Sequence, residues 1–427
     1  MRPDPALVKP SHHYSTGMFL RPVFLSLLTF TSFAFGANIT LSEEGAAAFA
    51  LKHNHALAAA RLTLEEARGR LRQSGRLSNP ELELEFNRNP RSRESAARAA
   101  VLQRFPLTGR LRYEKAVSSA QLRAAEEEVR DAERKLAAEA RGLAVRLRAL
   151  KGQRDLRSTQ LANITELSNF LRKSAEAGES SSTDALQVEL ESRQVEVERL
   201  QLSAEEVVLS GEFRLLLGVA NGECPTVSGE LPDPSVPLPE ANPSPRPDIL
   251  AAQSRAEAGR LMVREQQARR LEDVGAGLSY SQERSSDAPN PVETDRIIGF
   301  RVTLPLPLWN RNSGRIHEAA AAAARAEREL EDVRFTATQE VTSAKHAMEA
   351  YAKILAALDS CVLPQAKKLE EQLRASYSAG QTPLLEALRS RSRWLDLQRQ
   401  RLDALRDFHL ARIRYSSATH QHPVPTP

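Results

Sequence analysis

Hydrophobic residues along this chain keep two different periods, and the places where the period changes divide it into elements. Period two comes first. In Pro80–Phe86 the residues Leu82, Leu84 and Phe86 fall on one side and Glu81, Glu83 and Glu85 on the other, the signature of a strand with one apolar and one polar face. A polar loop, Asn87 to Arg93 with Pro90, precedes a return strand around Ala99 to Phe105. Further on, Val274, Ala276, Leu278 and Tyr280 alternate with Gly275, Gly277, Ser279 and Ser281, and a Ser/Asp/Pro/Asn loop leads to Ile298, Phe300, Val302 and Leu304. Runs of roughly 8–11 residues are what a tilted transmembrane strand requires, although a soluble hairpin cap on a helical body carries the same pattern. Four strands cannot close a barrel of useful width, so the membrane reading demands more than one chain.

Between the strand pairs the period is seven. Leu122, Val129, Leu136, Leu143 and Leu150 recur at that spacing, as do Val188, Val195, Leu202, Leu209 and Leu216. Later come Val341, Met348, Leu355 and Val362, then Leu388, Leu395 and Leu402. A sustained seven-residue repeat imposes left-handed coiled-coil packing. From Leu111 to about Glu176 there is no proline, so the first of these helices is on the order of 100 Å long at 1.5 Å per residue.

The order of elements occurs twice. Leu171-Arg172-Lys173-Ser174-Ala175-Glu176-Ala177-Gly178, with Asp184-Ala185-Leu186 behind it, matches Leu373-Arg374-Ala375-Ser376-Tyr377-Ser378-Ala379-Gly380 with Glu386-Ala387-Leu388, at an offset of 202. Phe105-Pro106-Leu107-Thr108-Gly109-Arg110 matches Leu306-Pro307-Leu308-Trp309-Asn310-Arg311 at an offset of 201. Two anchors with nearly one offset mark a tandem duplication. The expected organisation is an export signal over 1–36, a first repeat over 37–220, a proline-rich extended linker over 221–247, a second repeat over 248–420 and a tail over 421–427.

Composition changes the picture in three ways. Aromatics at 5% and charged residues at 27% suit long helices better than a globule, and the 59 basic and 55 acidic residues are interleaved, which leaves no nucleic-acid footprint. The run Val23–Phe35 behind Arg21 resembles a secretory signal peptide, with Met18 as the expected true start. No other segment reaches the length of a helical span, so if the exported chain is in a membrane it must cross by strands. Cys224 and Cys361 lie far apart and are read as unpaired small hydrophobes, a disulfide being the other reading. His53 and His55 diverge on a helix and His317, His346 and His409 are isolated; no metal site and no cofactor are expected.

Over essentially the whole mature length the chain resembles the TolC-type outer membrane efflux family. The features that carry the resemblance are the duplication, the strand pairs and the Ala-Gly turn followed by [Asp/Glu]-Ala-Leu in each half. The run Leu304-Pro305-Leu306-Pro307-Leu308-Trp309-Asn310-Arg311-Asn312-Ser313-Gly314 is similar to the heavy-metal (cobalt–zinc–cadmium) branch. The resemblance implies a mainly α protein with a small β part: a homotrimer in which each protomer gives four strands to a 12-stranded outer-membrane β-barrel and its coiled-coil helices to a periplasmic α-barrel. It implies an efflux channel embedded in outer-membrane lipid, with a periplasmic adaptor and an RND-type inner-membrane pump as partners. It places Gly178 and Gly380 at the periplasmic tip turns and Asp184 and Glu386 at the narrow end of the tunnel.

Locally, Gly178 and Gly380 suit the left-handed end of a helix, while Ser182 or Thr183 and Thr382 with Pro383 suit the start of the returning helix. Asp184 and Glu386 read either as first-turn acids on a helix dipole or as rings that gate the pore. Arg389, three residues after Glu386, replaces a second acid of other family members and is free to pair with a neighbouring helix. Arg172 and Arg374 read either as adaptor-docking residues or, for Arg172, as an i,i+4 partner of Glu176. A periplasmic coiled-coil adaptor and a purely structural coiled coil are the competing readings. The first needs more strands than the chain has, and the second leaves the signal, duplication and amphipathic strands unexplained. No nucleophile elbow, phosphate loop or metal cluster argues for an enzyme.

Overall fold

The computed structural model describes residues 40–178, 181–219, 225–234, 245–285 and 292–420. The export segment with Met18, Cys224, the tail and parts of the linker lie outside the described residues. The chain begins with β1 (Thr40–Leu41), α1 (Glu43–His53) and α2 (His55–Gln73) and continues through β2 (Glu81–Arg88), β3 (Ser95–Phe105), α3 (Arg110–Glu176) and α4 (Ser182–Leu217). After β4 (Thr226–Val227) the order recurs as α5 (Pro247–Ala268), β5 (Val274–Ser285), β6 (Glu293–Thr303), α6 (Ser313–Ala357), a π-helical turn (Leu358–Val362), α7 (Leu363–Ser378) and α8 (Leu384–Ala418). The fold is mainly α with a small β part, and its order of elements occurs twice. Among the described residues no helix is long and apolar enough to cross a membrane.

β2, β3, β5 and β6 form one antiparallel sheet in that order, so the two halves meet at the β3–β5 pair. On the other side α3 packs against α4, α5 and α8, and α1 lies on α3. Small side chains make this approach close: Ala46, Ala50, Ala140 and Ala144 are completely buried around Phe213 and Leu217. β1 and β4 pair in parallel, which ties the start of the first repeat to the linker. A second core joins Met348, Leu355 and Leu358 to Leu405 and Phe408, with Leu231 of the linker packed against it.

The linker is a strap held by polar contacts. Nε2 of the buried His409 lies 2.8 Å from the Pro232 carbonyl oxygen, and burial pushes its imidazole pKa below the usual value. Arg401 of α8 pairs with Asp359 of the π turn at 2.6 Å and with Asp233 of the strap at 3.1 Å. At the start of the second repeat, Arg246 donates to Asp248 and to Glu340 of α6. Burial alone would raise the Asp248 carboxyl, but Arg246 and the nearby Arg134 outweigh it and hold that pKa below its usual range.

Several local expectations need correction. The return strand begins at Ser95, because alanines with little strand propensity of their own are recruited by pairing with β2 and β5 on both sides. The first helical segment is two helices: Asn54 ends α1 and caps α2, accepting from the Leu57 amide at 2.9 Å and donating to the Leu216 carbonyl at 2.7 Å. Pro247, expected in the linker, is the first residue of α5, where its missing N–H costs nothing. Ser181, not Ser182 or Thr183, caps α4, and α8 starts after Pro383 with no side-chain cap from Thr382. The heptad expectation fails at Val362, which is exposed. The π turn adds a residue to the helix, so eight residues separate Leu355 from Leu363, and Leu363 packs on the second core in its place.

Gly218 ends α4 in the left-handed conformation, with φ 69°, and a Cβ there would overlap the His53 carbonyl oxygen. Gly178 and Gly380 are also left-handed, with φ 78° and 71°, but have open space where a Cβ would stand. Gly178→Ala and Gly380→Ala should therefore cost only about 1 kcal/mol each. Gly218→Ala should cost several times more, because backbone must move as well. Thermal unfolding of the three variants in detergent checks this, the expected order being a large drop for Gly218→Ala and small ones for the tip glycines.

Candidate functional site

The sheet has two unlike faces, set by strand register. On one, Leu82, Val101, Leu278 and Phe300 form a cross-strand row, followed by Leu84, Ala99, Tyr280 and Ile298. These side chains lie in solvent in the single chain: Phe86 is 76% exposed, Ile298 82% and Phe300 71%. Each row is two residues from the next, and from Phe105 to Ala99 the band, interrupted by Gln103, runs about 20 Å along the strand at 3.4 Å per residue. The following row already mixes Phe86 and Ala97 with Gln282 and Arg296. The row Arg88, Ser95, Arg284 and Thr294 ends the band with polar groups.

The opposite face carries Glu81, Glu83 and Glu85 on β2, Arg98 on β3, Gly277, Ser279 and Ser281 on β5, and Asp295 and Arg301 on β6, with Leu102 and Ile297 as its apolar exceptions. Small and charged side chains of this kind suit water, not lipid. Arg104 pairs with Glu81 at 3.2 Å at the helical end of this face. β2 and β6 each pair on one side only, which leaves two free edges. The strands alternate in direction, so the β6 edge of one copy can meet the β2 edge of another and continue the antiparallel pattern.

At the far end of the helices lies the tip. Ile164 and Leu171 of α3, Val188 of α4, and Leu384 and Leu388 of α8 form one buried cluster, with Ala185 and Tyr377 packed against it. The two helical hairpins thus close on each other within one protomer. Asp184 and Glu386, both in first turns, flank the residues of this cluster: Ala185 follows the first and Leu384 precedes the second by two. Asp184 is half-buried and Glu386 exposed. Arg389, Arg172 and Arg374 are exposed, and none of the three forms an ion pair among the described residues, so neither the Arg172–Glu176 pair nor a partner for Arg389 is made. Arg374 borders an open groove of about 380 Å³ between α3 and α7, together with Asn163, Phe170 and Arg391. Arg172 does not reach it.

The structure adds residues that sequence reasoning missed. Arg157 of α3 is 6% exposed. Its guanidinium donates to Gln160 at 2.6 Å and meets Glu198 of α4 at 3.1 Å and Asp396 of α8 at 3.3 Å. Gln153 donates to Asp403, and Ser392 to Glu191, each at 2.7 Å. These contacts tie the first hairpin to α8 above the tip. A signal existed: the α3 repeat runs Leu143, Leu150, Arg157, Ile164, Leu171, so Arg157 sits at a core position of its own heptad seam. A charge at such a position must be paired or solvated. Arg157→Ala removes all three contacts while leaving Glu198 and Asp396 able to reach water. The expected result is hydrogen exchange of backbone amides 388–396 faster by about tenfold, with amides of the second core unchanged.

Residues 240–419 match the family model described as Outer membrane efflux protein. No curated protein sequence matches the chain. Among solved structures, the chain is similar to the transmembrane channel CusC, with 20% identity, a TM-score of 0.74, and 88% of this chain and 92% of that one covered. The outer membrane protein VceC of Vibrio cholerae superimposes with a TM-score of 0.72 at 20% identity, over 88% and 95% of the two chains. The outer membrane channel CmeC of Campylobacter jejuni gives 0.74 at 15% identity, over 97% and 94%. At these identities the structures speak for the fold, and the family match on the second repeat speaks for the kind of protein. The second repeat is thus similar to outer membrane efflux proteins, and the chain shares the fold of the channel structures CusC, VceC and CmeC.

Proposed function

We propose that the chain is the channel subunit of a tripartite efflux system and that three copies close one continuous conduit. The observation that carries this reading is the sheet: a lipid-compatible face, a water-compatible face and two unpaired edges. Three copies joined β6 to β2 make a 12-stranded barrel with no edge left. A second surface asks for the same closure. On α4, Leu186, Leu190, Val197, Leu200, Val208 and Leu215 are exposed and fall within one side of the helix. In the proposed trimer this stripe packs against the next protomer, so the helices form a wall around water.

The conduit would be passive, with cargo moving through water in the lumen after delivery by an inner-membrane pump of RND type and a periplasmic adaptor. The resemblance of Leu304–Gly314 to the heavy-metal branch points to heavy-metal cations as one cargo class, drugs being the other. Gly178 and Gly380 make the tip turns. Three copies of Asp184 and of Glu386 form acidic rings at that end, and a partner that separates the hairpins opens them. Arg172 and Arg374 are the docking residues for the adaptor's helical tips. In this reading Arg374 contributes through the groove beside α7.

The rings predict a measurable change. Asp184→Ala together with Glu386→Ala should raise resting conductance in a planar bilayer and lower the preference for cations. Unchanged conductance and ion selectivity would remove the gate assignment and leave the fold intact.

A further inference from the structure

At the loop end of the sheet, farthest from the helices, charge is sorted by face. Register places Arg88 of β2, Arg284 of β5 and Arg296 of β6 on the side that carries Phe86 and Tyr280. The strand acids of the same end, Glu85, Glu283, Glu293 and Asp295, stand on the other side. All three arginines are exposed, and none forms an ion pair among the described residues. Glu94, the acid of the adjoining β2–β3 turn, accepts from Ser92 at 2.7 Å and from Asn89 at 3.1 Å. Arg88 and Arg284 flank Ser95 at two strand spacings, about 10 Å, and Arg296 is a diagonal neighbour of Arg284. Like charges so placed repel one another, and an anion among them removes the penalty.

The same residues enclose an open hollow of about 450 Å³. Its floor is Ser95 and Ala97 of β3, whose side chains are small, with Phe86 and Arg88 on one side and Gln282 and Arg284 on the other. Among the described residues no acid lines it. One row nearer the helices the trough continues over Ala99, between Leu84 and Tyr280. A ligand lying here meets guanidinium groups at one end and an apolar channel at the other, which is the form of a lipid with an anionic head. In the proposed channel the helices extend into the periplasm, so this end of the sheet lies in the outer leaflet. Three arginines exceed what the single charge of a phospholipid head neutralises, whereas a glycolipid head bearing more than one phosphate matches them.

We propose that this hollow binds a sugar-borne phosphate of lipopolysaccharide, the glycolipid of the outer leaflet, with Arg88, Arg284 and Arg296 as its ligands and an acyl chain in the trough over Ala97 and Ala99. Guanidinium suits the task because its fork of N–H groups fits phosphate oxygens in pairs. The inference rests on the proposed placement of the sheet in the outer membrane and adds to it a lipid of defined chemistry.

The test uses full-length protein extracted from outer membranes into mild detergent, with binding of fluorescently labelled deep-rough lipopolysaccharide followed by anisotropy. The same lipid with its phosphates removed enzymatically serves as the comparison. Wild-type protein is expected to bind the phosphorylated form about tenfold more tightly or better. Affinity should fall about fivefold for each arginine replaced, on the order of a hundredfold in Arg88→Gln/Arg284→Gln/Arg296→Gln, while Arg98→Gln on the water side leaves it unchanged. The comparison of the two lipids is made on wild-type protein and stands even when the triple variant does not fold. Equal affinity for both, in protein that conducts in a planar bilayer, would overturn the site and leave the channel reading standing. Displacement by phosphatidylglycerol as effective as by unlabelled lipopolysaccharide would assign the hollow to an ordinary phospholipid, and displacement by millimolar inorganic phosphate to a free anion; either overturns the proposal. Protein that neither inserts nor conducts would overturn the membrane reading itself, and this site with it.

Discussion

A strand edge in hydrocarbon is the constraint on which the rest depends. Backbone N–H and C=O groups at an open edge have no water to bond to inside a bilayer, and each costs several kcal/mol when left unpaired. This sheet has a largely apolar face, which in the proposed channel lies against lipid, and two open edges, β2 and β6. A single copy cannot satisfy both facts. Alternating strand directions make the two edges complementary, so closure by rotation about one axis removes the problem. The helices inherit the consequence: any symmetry that closes the sheet also decides which helix faces meet, and the exposed stripe on α4 is where that decision becomes visible.

Along the helices, hydrophobic seams and buried charges divide the work. Leucines and valines at seven-residue spacing hold each hairpin together, and alanines let neighbouring helices approach closely near the strap. Arg157, with Glu198 and Asp396, instead joins hairpin to hairpin. A buried ion pair adds little stability over an apolar contact but is selective in geometry, and breaking it leaves groups that water can take up. In the proposed channel, hairpins that hold together at rest and part on opening are better served by such links than by a continuous apolar interface. The π turn before Pro364 belongs to the same picture. It allows proline inside a long helix while Arg401 fastens Asp359 and Asp233 across it.

Much of this was legible in the sequence because two periods are hard to confuse. Alternation around Leu82–Phe86 and Val274–Tyr280 revealed strands and their faces, and the glycines at 178 and 380 revealed the turns. What stayed hidden was non-local. Ala96 to Arg98 carry no strand signal, and only pairing on both sides recruits them. The one-residue shift at the π turn cannot be seen in a pattern that continues through Val362, because Val362 is itself apolar. Arg157 was visible as an exception in its seam, but its partners lie 41 and 239 residues away.

The central claim is that closure of the sheet requires other copies of the chain. The most direct measurement is the polypeptide mass of the detergent-extracted particle, determined on the same sample that is shown to conduct in a bilayer. The account predicts three chains in every conducting particle. A conducting particle containing a single chain, or a water-soluble monomer with its apolar sheet face uncovered, would contradict it.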